Sequence, residues 1–274
     1  MHEDNPSGVP VDAEFLAQMD GAFTGWSDPA QRLRNALAGN ELQLYIQPIL
    51  ALKENRFVMA EVLVRLREEE AKMLPPGEFL PIFEQYDMMP DLDRWVVGQM
   101  VRRIARHARG GFRRFSINIA GKTLLDANFA DFITRSLREQ SVSAEALCFE
   151  IDEIDVLGRL DAAVRFGIAV RALGCRLAID GFGRRSASFA PLKSLRVDYI
   201  KVDGSITRNV LNSDIALNKL RTIVRVAEAI KVDVIAEFVE ETEVLVRLRT
   251  LGVGYAQGFG IARPAPIDNV SPGL

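Results

Sequence analysis

The sequence predicts an α/β chain folded as a (β/α)8, TIM-type barrel, on three observations. Eight short β-rich runs alternate with amphipathic segments of helical period, a pattern that gives a mainly parallel sheet covered by helices. A length of 274 residues suits one barrel domain of about 250 residues. Polar residues stand near the ends of most runs, where a barrel carries its chemistry.

The runs are LQLYIQPIL (42–50), RFVMAEVLVRL (56–66), RFSINIA (114–120), ALCFEIDE (146–153), RLAID (176–180), YIKVD (199–203), DVIAEFV (233–239) and YAQGFG (255–260). They are rich in β-branched and aromatic residues. Helical period marks 93–108, 129–140, 158–174, 218–230 and 242–252. Ahead of the first run, DPAQRLRNALAGN (28–40) offers Asp28 as a cap and Pro29 at the first helical position. That helix is expected to pack against the barrel's bottom. The chain then divides into a leader with a short helix (1–38), a barrel domain (39–268) and a C-terminal tail (269–274).

Composition removes several function classes. The net charge of −3 and pI near 5.6 give no global basic field for polymeric nucleic acid or an anionic membrane surface. MHEDNPSGVPVD is no signal or transit peptide, and no run approaches the ~18 apolar residues of a membrane span. Cys148 and Cys175 lie in apolar runs, as reduced thiols of a cytoplasmic protein do. His2 and His107 are the only histidines, which argues against Ser-His-Asp, Cys-His and His-ligated zinc chemistry. In VRRIARHARGGFRR (101–114), Arg102, Arg103, Arg106 and Arg109 read as the solvated face of a barrel helix.

The polar residues at the run ends are Glu61, Asn118, Glu150 with Glu153, Asp180, Lys201 with Asp203, and Glu237. Any one of them could merely mark a strand-to-loop junction. Together, six carboxylates, an amide and a lysine from six strands would be costly to bury unpaired. An oxygen-rich set without histidine favours Mg²⁺ or Mn²⁺ over zinc. Two such ions can activate a water and stabilise a leaving oxygen, so the reaction class suggested is metal-dependent phosphodiester hydrolysis.

These residues lie in an ordered series of motifs: QPI (47–49), EVLVR (61–65), INIA (117–120), FEIDE (149–153), AIDGFG (178–183), DYIKVD (198–203), VIAEFVE (234–240) and YAQGFGIARP (255–264). In order and spacing the series resembles the bacterial EAL family over roughly residues 40–266. The resemblance implies c-di-GMP as the ligand. It implies metal ligation by Glu61, Asn118, Glu150, Asp180 and Glu237, a lysine near the hydrolytic water at Lys201, and a carboxylate behind the ligands at Glu153. It further implies contacts to the dinucleotide from Gln47, Glu61, Leu63, Arg65, Glu240 and Gln257. Asp93 either reaches a guanine edge or is an exposed acid at a helix N-terminus.

Three departures set this chain apart from active members. The family's second aspartate at the fifth run is Gly181 here, which offers no side-chain oxygen and impairs the metal site. The loop of the form DFGTGYSS has become Gly181-Phe182-Gly183-Arg184-Arg185-Ser186 and onward. Phe238 stands where the family usually has glycine, and an aromatic ring can stack on a base. Degenerate c-di-GMP receptors of the family share that Phe and an EVL signature. The expectation is therefore a c-di-GMP receptor with weak or no hydrolysis, a protein effector as partner, and Mg²⁺ or Mn²⁺ not required for binding. An active phosphodiesterase giving the linear dinucleotide, and a nucleotide-independent interaction module, are the alternatives. The family resemblance allows a homodimer.

Overall fold

The computed structural model describes residues 26–39, 41–69, 72–74, 76–106, 111–184 and 188–269. The first 25 residues of the leader, His107, Arg109, Arg185, Ser186 and residues 270–274 of the tail lie outside them.

In chain order the elements are α1 (Pro29–Ala38), β1 (Leu42–Ala51), β2 (Arg56–Glu69), β3 (Lys72–Leu74), α2 (Pro76–Gln85), α3 (Met89–Arg106), β4 (Arg114–Asn118), α4 (Phe129–Glu139), β5 (Leu147–Asp152), α5 (Glu153–Gly158), α6 (Leu160–Ala172), β6 (Arg176–Phe182), β7 (Tyr199–Val202), α7 (Gly204–Thr207), α8 (Asp214–Ile230), β8 (Asp233–Ala236), α9 (Thr242–Thr250), β9 (Tyr255–Ala256) and β10 (Ala265–Pro266). Eight strands close a ring in the order β1, β9, β8, β7, β6, β5, β4, β2, and β2 pairs back onto β1. From β2 round to β9 the pairings are parallel, whereas β1 runs antiparallel to both neighbours. The fold is the (β/α)8, TIM-type barrel that the alternation predicts.

The two-residue period of a strand sends alternate side chains to opposite faces. Leu147, Phe149 and Ile151 of β5 join the large core beneath the helices, while Cys148 joins a small cluster inside the barrel with Ile49, Met59, Ala178, Tyr199 and Ile235. Both cysteines are buried and unpaired, and burial pushes the Cys175 thiol up to about 12, so neither is a ready nucleophile.

Several elements differ from expectation for local reasons. α1 does form, with Asp28 accepting from the Gln31 amide at 2.8 Å. Yet it sits beside the far end of β2, where Arg32 donates to the Arg67 carbonyl at 2.9 Å, rather than beneath the barrel. α2 carries an internal proline, Pro81, which hides it from a helix reading. The run 146–153 ends at Asp152, because this residue caps α5 by accepting from the Ile154 amide at 2.7 Å. The run 233–239 ends at Ala236, and Phe238 adopts φ +53°. The run 255–260 is a strand only over its first two residues. Beyond them Gly258 and Gly260 lie flat on the backbone of residues 239–240, where a Cβ on Gly258 would stand 2.1 Å from the Val239 oxygen.

Candidate functional site

The same alternation builds the site. One step up from the apolar cluster, each strand's next inward residue is polar: Met59 is followed by Glu61, Cys148 by Glu150, Ala178 by Asp180, Tyr199 by Lys201, Ile235 by Glu237 and Tyr255 by Gln257, while on β4 the buried Ser116 precedes Asn118. β1 runs the other way, so Gln47 precedes Ile49. The result is a polar layer over an apolar floor at the C-terminal end of the barrel.

Lys201 is the hub. Its ammonium is fully buried and lies 2.7 Å from Glu150, 3.1 Å from Glu61, 3.1 Å from Glu237 and 3.5 Å from Asp180. Burial opposes its charge, but the four carboxylates outweigh that and hold its pKa well above the usual lysine range. One ammonium cannot balance four carboxylates. Burial therefore pushes Glu150 up to about 8 against the pull of Lys201, and pushes Glu237 well above the carboxylate range. Neutral donors hold Glu61 and Gln47 in place. Asn118 donates to Glu61 at 2.8 Å, and Gln257 donates to Glu61 at 2.6 Å and to Gln47 at 3.1 Å. Gln47 in turn donates to the Ala262 carbonyl at 3.0 Å.

The donor chemistry suits a hard cation. Oε1 of Glu150 and Oε1 of Gln257 are buried oxygens without a hydrogen-bond partner among the described residues. As arranged, however, the carboxylates converge on the ammonium. Among the described residues no three Asp, Glu, His or Cys side chains form a ready cage. A cation would enter on the cavity side of the ring.

Above the ring opens a cavity of 370 Å³ walled by Gln47, Glu61, Leu63, Asp180, Arg184, Asp203, Arg208, Glu237, Phe238, Glu240, Gln257, Gly258 and Phe259. Phe238 is 48% exposed, unusual for so large an apolar side chain at positive φ. Two neighbours hold it there. Gly204 leaves the notch it fills, since a Cβ at 204 would lie 2.4 Å from the Phe238 ring, and the Arg208 guanidinium lies over the ring at 4.3 Å. Arg208 also stands 3.9 Å from Glu240.

The EAL domain model matches residues 30–264. The chain belongs to the EAL family. This EAL domain is 31% identical over 237 residues to the cyclic di-GMP phosphodiesterase PdeF of Escherichia coli, covering 86% of this chain and 32% of that protein. It is 31% identical over 240 residues to the cyclic di-GMP phosphodiesterase PdeB of Shewanella oneidensis, covering 87% and 28%. The chain thus spans about a third of these curated relatives. Among solved structures it is similar to the FimX EAL domain of Pseudomonas aeruginosa bound to c-di-GMP, with TM-score 0.83, 27% identity and coverage of 89% and 99%. The c-di-GMP complex of the Xanthomonas citri FimX EAL domain matches with TM-score 0.83, 27% identity and coverage of 95% and 100%.

Not every residue expected at the site faces the cavity of this EAL domain. Arg65 donates to the Val64 carbonyl at 2.9 Å and stacks over Tyr45 at 5.3 Å, outside the cavity wall. Asp93 is neither an exposed acid nor aimed at the cavity. It is 4% exposed, and one oxygen accepts from the Thr123 hydroxyl at 2.6 Å and the Ala120 amide at 3.0 Å, holding the loop after β4. Glu153 is buried and accepts from the Gly183 amide at 3.1 Å, so it steadies the loop after β6 instead of joining the ring. Among the outward arginines, Arg102 and Arg106 are exposed and Arg103 pairs with Asp268 at 3.1 Å.

Sequence reasoning missed Arg208, Gly204 and Phe259. Gly204 follows the YIKVD run directly, but nothing in the sequence sets it against Phe238. Arg208, four residues further on, carries no local mark. Gly181, with φ +63°, lies at a register shift between β6 and β7, between Ile179 and Phe182. Such irregularities re-aim side chains beside sites, and the Gly181 amide donates to Asp180 at 2.9 Å.

Proposed function

We propose that this EAL domain is a c-di-GMP receptor that binds the dinucleotide at the barrel mouth and hydrolyses it slowly or not at all. The observation that carries the reading is Phe238, an aromatic ring held half-exposed on the cavity wall beside the carboxylate of Glu240. A purine stacks on such a ring, and the guanine N–H groups would donate to the carboxylate. The relatives named as cyclic di-GMP phosphodiesterases and the FimX domains bound to c-di-GMP support this ligand. Weak hydrolysis follows from Gly181, which contributes no oxygen beside Asp180. Since catalysis depends on geometry held to a fraction of an ångström, loss of one ligand lowers the rate by orders of magnitude. Mg²⁺ or Mn²⁺ can then enter the ring without being needed for binding. A protein effector that reads the bound state, in the cytoplasm, completes the proposal.

Calorimetric titration with c-di-GMP in EDTA and in Mg²⁺, with chromatography of the products, tests it. Binding in both buffers without turnover is expected, and rapid conversion to the linear dinucleotide would overturn it.

A second reading, an active metal-dependent phosphodiesterase, is favoured by the gathering of Glu61, Asn118, Glu150, Asp180 and Glu237 around Lys201. A divalent ion held by those oxygens would activate water. Under that reading hydrolysis is abolished by Glu61→Ala or Lys201→Ala.

A further inference from the structure

Arg184 is a cation of the cavity wall that the receptor reading leaves unused. It follows the end of β6, and its guanidinium spans the ends of two other strands. Nε donates to Asp203 after β7 at 2.9 Å and Nη1 donates to Asp152 of β5 at 3.1 Å. Asp203 and Asp152 are themselves fixed, because each caps a helix by accepting from a backbone amide, Ser205 at 2.9 Å and Ile154 at 2.7 Å. The fork is therefore held by two struts whose own positions are set by the barrel.

Its third nitrogen, Nη2, has no hydrogen-bond partner among the described residues. It hangs over Gly181, 2.5 Å from where a Cβ would stand. Arg184 shares the cavity wall with Asp180, Asp203 and Glu237. Among the described residues of the wall and the ring, Lys201 lies inside its carboxylates and Arg208 lies over Phe238. A phosphodiester entering a wall lined by carboxylates meets repulsion unless a cation stands between. A guanidinium already ordered by two carboxylates loses little freedom when it donates once more.

We propose that Arg184 is the phosphate anchor of this cavity: a guanidinium fixed by Asp152 and Asp203 that presents Nη2, in the space kept clear by Gly181, to a phosphodiester of the cyclic dinucleotide. This deepens the receptor reading and rests on it for the identity of the ligand. It also gives position 181 a second constraint beyond positive φ, because any side chain there displaces the anchor.

The test compares the wild-type chain with Arg184→Met, which keeps the stem and removes the charge, and with Arg184→Lys. Titration with c-di-GMP in EDTA should show roughly 10- to 100-fold weaker binding by Arg184→Met, the range of a lost charge-assisted hydrogen bond. Arg184→Lys should fall between. Affinity of Arg184→Met equal to wild type overturns the proposal. A second arm needs no nucleotide: inorganic pyrophosphate should raise the melting temperature of the wild-type chain and leave Arg184→Met unmoved. An equal shift in both chains also overturns it. Failure of the wild type to bind c-di-GMP, with the pyrophosphate difference intact, would remove the receptor reading and leave the anchor standing.

Discussion

Asp93 illustrates how a buried carboxyl can serve a site it does not enter. Both of its donors, Ala120 and Thr123, converge on Oδ2, so the second oxygen is free to carry a proton. Burial raises the group from 3.8 to about 7, with the Thr123 and Ala120 hydrogen bonds opposing the rise. Between those values the native chain keeps a proton that the unfolded chain has released. Stability from this group is therefore complete below about pH 4 and declines as the pH climbs towards 7. Asparagine has one carbonyl oxygen for both donors and nothing to titrate. Asp93→Asn should flatten the decline between pH 4 and 7 and leave the fold intact. Urea unfolding midpoints across that range would measure it, and a variant that kept the wild-type slope would refute the assignment.

Among the elements, the segment Phe238–Glu240 shows how glycines elsewhere fix a functional side chain. It is clamped below by Gly258 and Gly260, with Val239 donating to the Gln257 carbonyl at 2.9 Å and accepting from the Gly260 amide at 3.0 Å. It is flanked by the Gly204 notch. Gly258→Ala would drive a Cβ into rigid backbone and should lower the melting temperature by several degrees. Gly77→Ala in α2, with no atom within 4 Å of the added carbon, should be neutral or stabilise by roughly 0.5 kcal/mol. Equal melting temperatures for the two would refute the clamp. For ligand binding, Phe238→Ala should cost about 1–3 kcal/mol if a base stacks there. Gly204→Ala should weaken binding similarly by evicting the ring, and unchanged c-di-GMP affinity in both would count against the aromatic contact. The motif VIAEFVE marks this Phe in the sequence. Its partners were hidden, because Gly204 and Arg208 come from α7 and its end, and only the folded chain brings them to the ring.

Across the barrel, the strands and the layer of polar residues could be read in advance, since both follow from a two-residue period in which apolar inward positions give way to Glu61, Asn118, Glu150, Asp180, Lys201 and Glu237. What could not be read was direction. Periodicity says that Arg65, Asp93 and Glu153 are polar residues near the mouth, and it is silent on whether they turn to the cavity, to Tyr45, to Thr123 or to Gly183. Nor does it say how the ring closes. The closure is uneven: β1 and β2 pair along ten residues, whereas β1 and β9 meet at only Leu50–Ala256 and Ala51–Tyr255, extended by the Leu52 amide donating to Gly254 at 2.9 Å. β9 is joined as briefly to β8, at Ile235–Tyr255 and Ala236–Ala256, so the short side of the barrel is β9 with both of its seams, and the candidate site crosses the one to β1. Gln257, just past β9, donates to Gln47 on β1 and to Glu61 on β2, so one amide bridges the strands that the ladder barely joins. Local opening favours regions with few ladder bonds, and β9 with its two short seams should exchange first. Gln257→Ala removes the bridge and should accelerate hydrogen exchange of the Leu50, Leu52 and Ala256 amides while leaving Ile117, Phe149 and Ile179 as slow as in wild type. A ligand seated against Gln257 should act in the opposite sense, slowing the same seam amides. Uniform acceleration around the ring would mean that Gln257 supports the whole fold, and no change would mean that the seam holds without it.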